Sequence, residues 1–449
     1  MGSWLRGWTA KVLGVGALAL LMLLPLWKVQ SLVDERQGMR QAAVDQIAQG
    51  WGGQQVLGGL VLAVPTREPM TLSNNEVREI SDTTYVLPDS VATDVTMSVD
   101  KRRYGIYEAP VFASTVLMQG RFASVDIDQL RQKDDANWVD GKAELRLVLG
   151  DLRGLQEVSE LLINGKPQRF ESSAATLGGG SSIVTVPLDL SAMSGQPIEF
   201  SVKLRLAGTQ SLQLLPLART TDVKISAPWA DPSFIGAALP VERTVSAEGF
   251  SARWHILDLN RKFGQSWHAN EPRVDAAVHD AAFGVALFQP VDVYQRNVRA
   301  GKYGLLFITM TFVAFFLFEV LKRLRVHPVQ YLLVGAALTS FYVLLLALSE
   351  QIGFGGAYAI AASSVVLIIA GYASVVLGER RAGLLLGGAL GLVYAMLYVV
   401  LAAEQYALLI GAIVLVITVG LLMYLTRRID WYAGMPSAAE PAPAIMEQP

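Results

Sequence analysis

The 449-residue chain has no cysteine and only four histidines, His255, His268, His279 and His327. Without thiols there is no disulfide framework, no thiolate metal site and no cysteine nucleophile. Four histidines with no H-E-x-x-H spacing could build a zinc site only with help from carboxylates, so metal chemistry is not expected and no cofactor is implied. Basic and acidic residues nearly balance, 37 against 39, and the Lys and Arg residues are scattered rather than blocked. The broad positive field that gathers nucleic acid is missing, and no nucleic-acid partner is expected.

Long hydrophobic runs, by contrast, are plentiful. Charge is concentrated between residues 30 and 300, with 32 acidic and 26 basic residues, against 7 and 11 elsewhere. A membrane-spanning helix needs about 20 mostly apolar residues to cross about 30 Å of hydrocarbon. Six stretches qualify: residues 12–29, 303–321, 329–349, 357–377, 382–403 and 406–426. The first run is followed by Pro25, Leu26, Trp27 and Lys28, with no small-x-small cleavage signal, so an uncleaved anchor is expected. Lys11 and Lys28 can snorkel at its two ends, and Trp4, Trp8 and Trp27 suit the headgroup level.

Positive charge orients these spans. Arg6 and Lys11 precede the first, Lys322, Arg323 and Arg325 follow the second, Arg380 and Arg381 separate the fourth and fifth, and Arg427 and Arg428 follow the sixth. The alternate connections, 350–356 and 404–405, hold no Lys or Arg. The pattern predicts both termini in the cytoplasm, as segments 1–11 and 427–449. It places residues 30–300 outside, in the periplasm of a Gram-negative-type envelope. The tail after Gly434 is rich in Ala and Pro and is expected to be disordered.

Within the exported segment, residues 32–51 carry Met39, Ala43, Ile47 and Trp51 at steps of four, a helical period that predicts a stalk or a helix packed on the domain, the thin apolar stripe suiting packing better than lying on a membrane. The pattern then switches to short β-branched runs bounded by Gly, Pro, Asp and Asn: 56–64, 93–99, 111–122, 143–149, 183–188, 198–206 and 222–226. In the sixth of these, Phe200, Val202, Leu204 and Leu206 alternate with Ser201, Lys203 and Arg205, so one face is buried and the other wet. An all-β or mainly-β domain follows, as a sandwich or an antiparallel assembly. Residues 178–182 read as a loop, because no Gly-Lys-Ser/Thr and helix follow to make a phosphate cradle.

Chemistry-bearing patterns are few. Ser98 and Lys101 match S-x-x-K formally, but on a strand residues three apart face opposite sides. His255 with Asp258, or His268 with Glu271, could pair a base with an orienting carboxylate, yet no G-x-S-x-G turn offers a nucleophile. An enzyme is not expected. Glu319, Glu350 and Glu404 lie in or beside the spans, where a buried carboxylate is costly unless partnered. Glu319 falls close to Lys322 and Arg323, and the other two at the exported ends. Gly383, Gly387, Gly388 and Gly391 have helical spacing and would admit a close helix, within the bundle or between copies.

Several stretches, taken together, have a family look. They are Glu35-Arg36, Trp51-Gly52-Gly53-Gln54-Gln55 with Pro65, Asp231-Pro232-Ser233-Phe234, Gly249-Phe250, Trp254, and Leu259-Asn260-Arg261 with Trp267. The most specific is His327-Pro328-Val329-Gln330-Tyr331-Leu332-Leu333-Val334-Gly335, followed by Phe341-Tyr342, 344–350 and Gly353-Phe354, with Ile429-Asp430-Trp431-Tyr432 at the end. The chain thus resembles the CreD family of inner-membrane proteins, described as cell envelope integrity proteins, over nearly its whole length. Gly58-Gly59 and Pro216-Leu217-Ala218 depart from the family's Gly-Pro and Pro-Leu-Gly. The resemblance implies an envelope role and carries no catalytic residues. The candidate functional residues are therefore Glu319, Glu350, Glu404 and His327. The partners expected are the lipid bilayer, envelope components or other membrane proteins, and further copies of the chain. A transporter or channel using the intramembrane carboxylates is the alternative.

Overall fold

The computed structural model describes residues 8–71, 77–133, 137–177, 181–193, 195–269, 271–287, 293–321, 326–376, 380–402 and 407–427. The chain divides into two compact units, Arg40–Pro290 and the combination of Met1–Met39 with Val291–Pro449.

The first helices, α1 (Trp8–Leu21) and α2 (Leu23–Trp51), are nearly one rod. Met22 N–H donates to Leu18 at 3.1 Å and Leu26 N–H to Met22 at 3.2 Å, so the helical ladder passes through the break. Pro25 explains the break, because it has no N–H to offer the Leu21 carbonyl. The sequence suggested a stalk or a packed helix after the span; the polar stretch continues the helix of the span, as a stalk does. Its buried residues are Val33, Ala43 and Val44, whereas Met39 of the expected stripe is exposed.

The β unit contains, in chain order, β1 (Gln55–Thr71), β2 (Val77–Val86), β3 (Ser90–Tyr104), β4 (Tyr107–Phe122), α3 (Ser124–Lys133), β5 (Asn137–Trp138), β6 (Ala143–Leu149), β7 (Leu155–Ile163) and β8 (Lys166–Pro167). It continues with β9 (Glu171–Leu177), β10 (Ser181–Leu188), β11 (Ile198–Thr209), β12 (Ser211–Leu214), β13 (Thr220–Ala227) and β14 (Pro232–Gly236). Last come β15 (Glu242–Val245), β16 (Phe250–Leu257), β17 (Ser266–His268), α4 (Pro272–Asp280) and β18 (Phe283–Leu287). The expected loop at 178–182 is corrected in part. Ser181 and Ser182 already pair with β6 and β9, and 178–180 lie outside the described residues.

Two sheets form. One has the order β14-β18-β12-β1-β6-β10-β9, with β2, β5 and β17 attached beside β1; the other runs β15-β16-β13-β3-β4-β11-β7-β8. Most pairs are antiparallel, but β1 with β12 and β13 with β3 are parallel, which a purely antiparallel assembly does not allow for. The long excursions of chain between these partners supply the crossover that parallel pairing needs. The sheets share one core, with Leu60, Leu62 and Val64 of β1 and Leu145 and Leu147 of β6 packed with Val95, Val116, Val202 and Leu204 from the other sheet.

The two sheets differ in what covers their outer faces, and the sequence reflects it. On β1, Val61 and Ala63 point away from the shared core into a second cluster with Phe263, Trp267 and Val278. Both faces of β1 are therefore buried, so Leu-Val-Leu-Ala-Val runs apolar without a break. The strands of the second sheet alternate instead, with Lys203 and Arg205 of β11 exposed between buried Val202, Leu204 and Leu206.

The Leu259–Trp267 stretch is part of the cover over the first sheet. Phe263 and Trp267 meet edge to face with centroids 6.0 Å apart. Gln265 donates to Leu87 and Pro88 carbonyls at 2.9 and 2.8 Å and accepts from Arg261 Nη2 at 2.5 Å. Burial pushes the Arg261 guanidinium down to about 10, so it remains charged at neutral pH.

Where α2 ends and β1 begins, Trp51-Gly52-Gly53-Gln54-Gln55 forms a tight joint. Trp51 Nε1 donates to Phe112 O at 3.0 Å, and Arg102 lies 4.4 Å from the centre of its ring. Gly52 has φ of +109°, a conformation that favours glycine, and a Cβ there would meet Ala207 O and Gly154 Cα at 2.9 Å. Gln55 is fully buried, and its Nε2 reaches Ala207 O at 3.0 Å and Asp151 O at 3.2 Å. Asp151 accepts from Gly53 N–H at 2.9 Å, and Arg153 donates to it from both backbone and guanidinium. Burial acts to raise the Asp151 pKa, but the Arg153 guanidinium and the two backbone N–H groups outweigh it and hold the carboxyl below the ordinary range.

Two predictions follow from this joint. In Gly154→Ala the new Cβ would sit 2.2 Å from Ala207 O and Gln55 Nε2, so the β unit should lose roughly 1–3 kcal/mol or more. Gly141→Ala, with open space around it, should stay within about 0.5 kcal/mol of the parent in the same thermal unfolding experiment. Asp151 has a depressed native pKa, so its stabilisation is complete above the unfolded value of about 3.9 and is lost as pH falls through the depressed native value. Melting curves across that acidic window should show a shallower pH dependence for Asp151→Asn than for the parent.

Candidate functional site

The membrane-type unit continues with α5 (Val293–Leu321), α6 (Pro328–Ile352), α7 (Phe354–Val376), α8 (Arg380–Ala402) and α9 (Ala407–Thr426). Five helices among the described residues are long and apolar enough to cross a membrane: the rod from Leu13, α5, α6, α7 and α8. α9 adds 20 residues without a charge, several of whose side chains lie outside the described residues. Leu367, Leu384 and Val375 are 71%, 73% and 80% exposed, which suits helices whose solvent is lipid. Gly383 and Gly387 let α8 approach Ser374 and Ala370 of α7, while Gly388 and Gly391 have nothing within 4 Å, so only half of the expected glycine face packs inside the unit.

Glu319 sits near the end of α5 and is completely buried. Its neighbours come from three places. Lys11 of α1 donates to Oε1, the backbone N–H of Val326 donates to the same oxygen at 2.7 Å, and the Tyr331 hydroxyl of α6 donates to Oε2 at 2.9 Å. Phe312 and Phe315 pack edge-on against the Tyr331 ring, each with centroids 5.8 Å away. The sequence placed Glu319 at an interface beside Lys322 and Arg323. The structure corrects this: the carboxylate is sealed from solvent and its cation is Lys11, while Lys322 and Arg323 lie outside the described residues.

The His327–Gly335 block builds this socket. His327 is the exposed N-cap of α6. Its Nδ1 accepts from Val329 N–H at 3.3 Å, and its own N–H donates to Gln330 Oε1 at 3.0 Å, a reciprocal cap. Pro328 fills the first helical position, where no N–H is needed. Tyr331 then falls one turn in, facing Glu319. At Gly335 a Cβ would stand 2.6 Å from Met22 Sδ and 3.0 Å from Phe312 Cζ, so the glycine lets the α1–α2 junction and α5 close over α6 without either side chain moving. His327 therefore shapes the helix start and does not touch the carboxylate.

Glu350 lies about 19 residues further along α6, about 28 Å away at 1.5 Å per residue. It accepts from the Tyr294 hydroxyl of α5 at 3.0 Å. One turn on, Asn297 Nδ2 donates to Ser349 Oγ at 3.0 Å and to Val293 O at 2.8 Å. The antiparallel pair α5–α6 is thus fastened at both ends by a tyrosine from one helix and a glutamate from the other. Between the ends, Phe341, Tyr358 and Tyr394 stack edge to face, and Tyr358 OH donates to Tyr394 O at 2.6 Å. Glu404 lies outside the described residues. Tyr294, Asn297, Ser349 and the donor roles of Lys11 and Tyr331 were not legible in the sequence.

In the β unit the histidine pairs differ from expectation. His255 Nδ1 meets Asp222 at 2.9 Å across the β13–β16 ladder, not Asp258. His268 Nδ1 approaches both Thr84 Oγ1, at 3.2 Å, and Asp82, at 3.8 Å, and Glu271 accepts from its backbone N–H at 3.3 Å. Base relay needs the carboxylate and the nucleophile on opposite ring nitrogens. Ser98 donates to the Ala113 carbonyl on the strand face, one more arrangement unlike a nucleophile–lysine turn. Among the described residues no group of three metal-ligating side chains comes together.

A family model described as Inner membrane protein CreD matches residues 8–432. The chain belongs to the CreD family. The protein named Inner membrane protein CreD from Escherichia coli is 34% identical over 418 residues, covering 92% of this chain and 91% of that one. The buried glutamate, its tyrosine and the capped helix start are thus features of a multi-pass inner-membrane protein of the CreD family. Two solved structures of an M1 zinc metallopeptidase from Deinococcus radiodurans are 12% and 13% identical with TM-scores of 0.20 and 0.21, covering 38% of each chain. A likeness that faint carries no argument.

The socket predicts an asymmetry between its partners. Lys11→Met leaves the sealed carboxylate without a cation and should cost about 3–5 kcal/mol. The double variant Lys11→Met with Glu319→Gln should recover part of the loss, read as unfolding midpoints in one detergent.

Proposed function

We propose that this CreD-family protein serves envelope integrity by presenting its β unit outside the cytoplasm, where that unit binds an envelope component or another membrane protein. The helical unit holds it in the inner membrane. The observation that carries this reading is the insertion of a complete two-sheet domain between the first apolar helix and the others, with its second sheet facing solvent along alternating polar positions. A binding element needs an independent fold and a free face.

In the same reading α9 is the sixth span, both termini are cytoplasmic, and residues 30–300 are periplasmic. The alternation of Lys and Arg between connections supports it. A transport role would need its carboxylates on a shared path. Glu319 is instead held by three donors, with Glu350 at the opposite end of the helix pair.

The chain's lack of cysteine makes the topology directly testable. Lys203→Cys should react with a membrane-impermeant maleimide in cells whose outer membrane alone is opened, and Ser437→Cys only after the inner membrane is breached. The reverse pattern would overturn the orientation. Photo-crosslinking from Lys203 and from Thr115, both exposed on the second sheet, should trap one recurring envelope component. Turnover of a cell-wall or lipid substrate by the purified protein, abolished by one point change, would overturn the binding role.

A further inference from the structure

β15 is the outer strand of the second sheet, paired on one side with β16 and, among the described residues, with no strand on the other. Arg243 stands opposite Ala252 and Val245 opposite Phe250, and both of those β16 residues are buried in the sandwich core. Alternation therefore puts Val241, Arg243 and Val245 on the core-facing side of the sheet. Yet they are not covered. Val241 is 62% exposed and Val245 47%, and Leu239 just before the strand is 70% exposed. β15 thus presents an apolar strip on the face that its neighbours β16, β13 and β3 bury.

The opposite end of the sheet is closed in the usual way. β8 is two residues long, Lys166 and Pro167, and offers little to a new strand. β15 contains neither Lys nor Pro. Its outward Glu242 is balanced by Arg253 at 3.7 Å. Arg243, on the apolar side, lies 6.0 Å from the centre of the Phe234 ring and has no carboxylate within ion-pair distance among the described residues. A free strand edge, two flanking valines and an unanswered cation between them specify a complement: an extended segment with apolar, acidic and apolar side chains at alternate positions.

We propose that β15 is where the β unit takes up its partner, by adding an extended polypeptide strand that sets a carboxylate opposite Arg243 and apolar residues against Val241 and Val245. The assignment rests on the binding role proposed above and gives that role a location. A second copy of this chain fits less well, because antiparallel pairing of two β15 strands with Val241 opposite Val245 brings Arg243 against Arg243.

The test uses the full-length protein in nanodiscs and a labelled synthetic peptide with a Thr-Val-Thr-Glu-Thr-Val-Thr core. The parent should bind it and slow amide exchange across 241–245. Lys for Glu in the peptide, or Arg243→Glu in the protein, should weaken binding at least ten-fold, and the two reversals together should restore it. Absent binding, equal affinity for both peptides, or indifference to Arg243→Glu would overturn the assignment. So would a disulfide between a Val241→Cys copy and a Val245→Cys copy that forms in membranes and blocks the peptide. If the edge fails while photo-crosslinks from Lys203 and Thr115 still trap the same component, the binding role stands and only its location is wrong.

Discussion

A carboxylate with no access to water must find every donor inside the protein, and around Glu319 that requirement organises three helices. Lys11 comes from the first, Tyr331 from the start of the third, and the Val326 N–H from just ahead of that start. Each of these groups is held by something else: Tyr331 by two phenylalanine edges, Val326 by the adjoining His327–Gln330 cap, and Lys11 by a helix seated on Gly335 through Met22. The polar cluster at Tyr294, Asn297, Ser349 and Glu350 repeats the arrangement at the other end of α5–α6 with less burial. Lipid offers no hydrophobic force between helices, so such contacts and close-packed small residues set which helices are neighbours.

The β unit solves a different problem, joining a long helix to a sheet without leaving backbone groups unpaired. Gly52 allows the turn, and Gln55, buried though polar, bonds the Ala207 and Asp151 carbonyls beside it. A charged pair, Asp151 with Arg153, then closes the outside of the joint.

Much of this was legible in the sequence because it rests on local pattern. Apolar length marks the spanning helices, and the β-branched runs mark seven of the strands; 143–149 matches β6 at both ends, while 56–64 stops well short of the end of β1 at Thr71. The continuous apolar run at 56–64 also states, in retrospect, that β1 is covered on both faces. What the pattern could not carry was long-range pairing. Nothing local joins Lys11 to Glu319 across 308 positions, and charge proximity in the chain pointed to Lys322 and Arg323 instead. His255 similarly took Asp222 from the neighbouring strand, not Asp258 from its own segment, because strand register, not sequence distance, decides which side chains meet. The functional weight of the His327–Gly335 block was visible as a family feature, but its work, capping a helix and lining a carboxylate, is visible only once Glu319 is seen beside it.

β1, buried on both faces, also sets an order of assembly. It is made early, yet its neighbour β6 follows about 80 residues later and β12, its parallel partner, about 150. β2 follows at once but pairs only from Leu62 onward, so until then the greasy stretch before it has nothing to hide behind, and in that interval it is the segment most open to mispairing with another chain. A fold threaded through a membrane and centred on such a strand therefore leans on whatever shields nascent chains, and its yield should depend on that help more than on the strength of the finished domain.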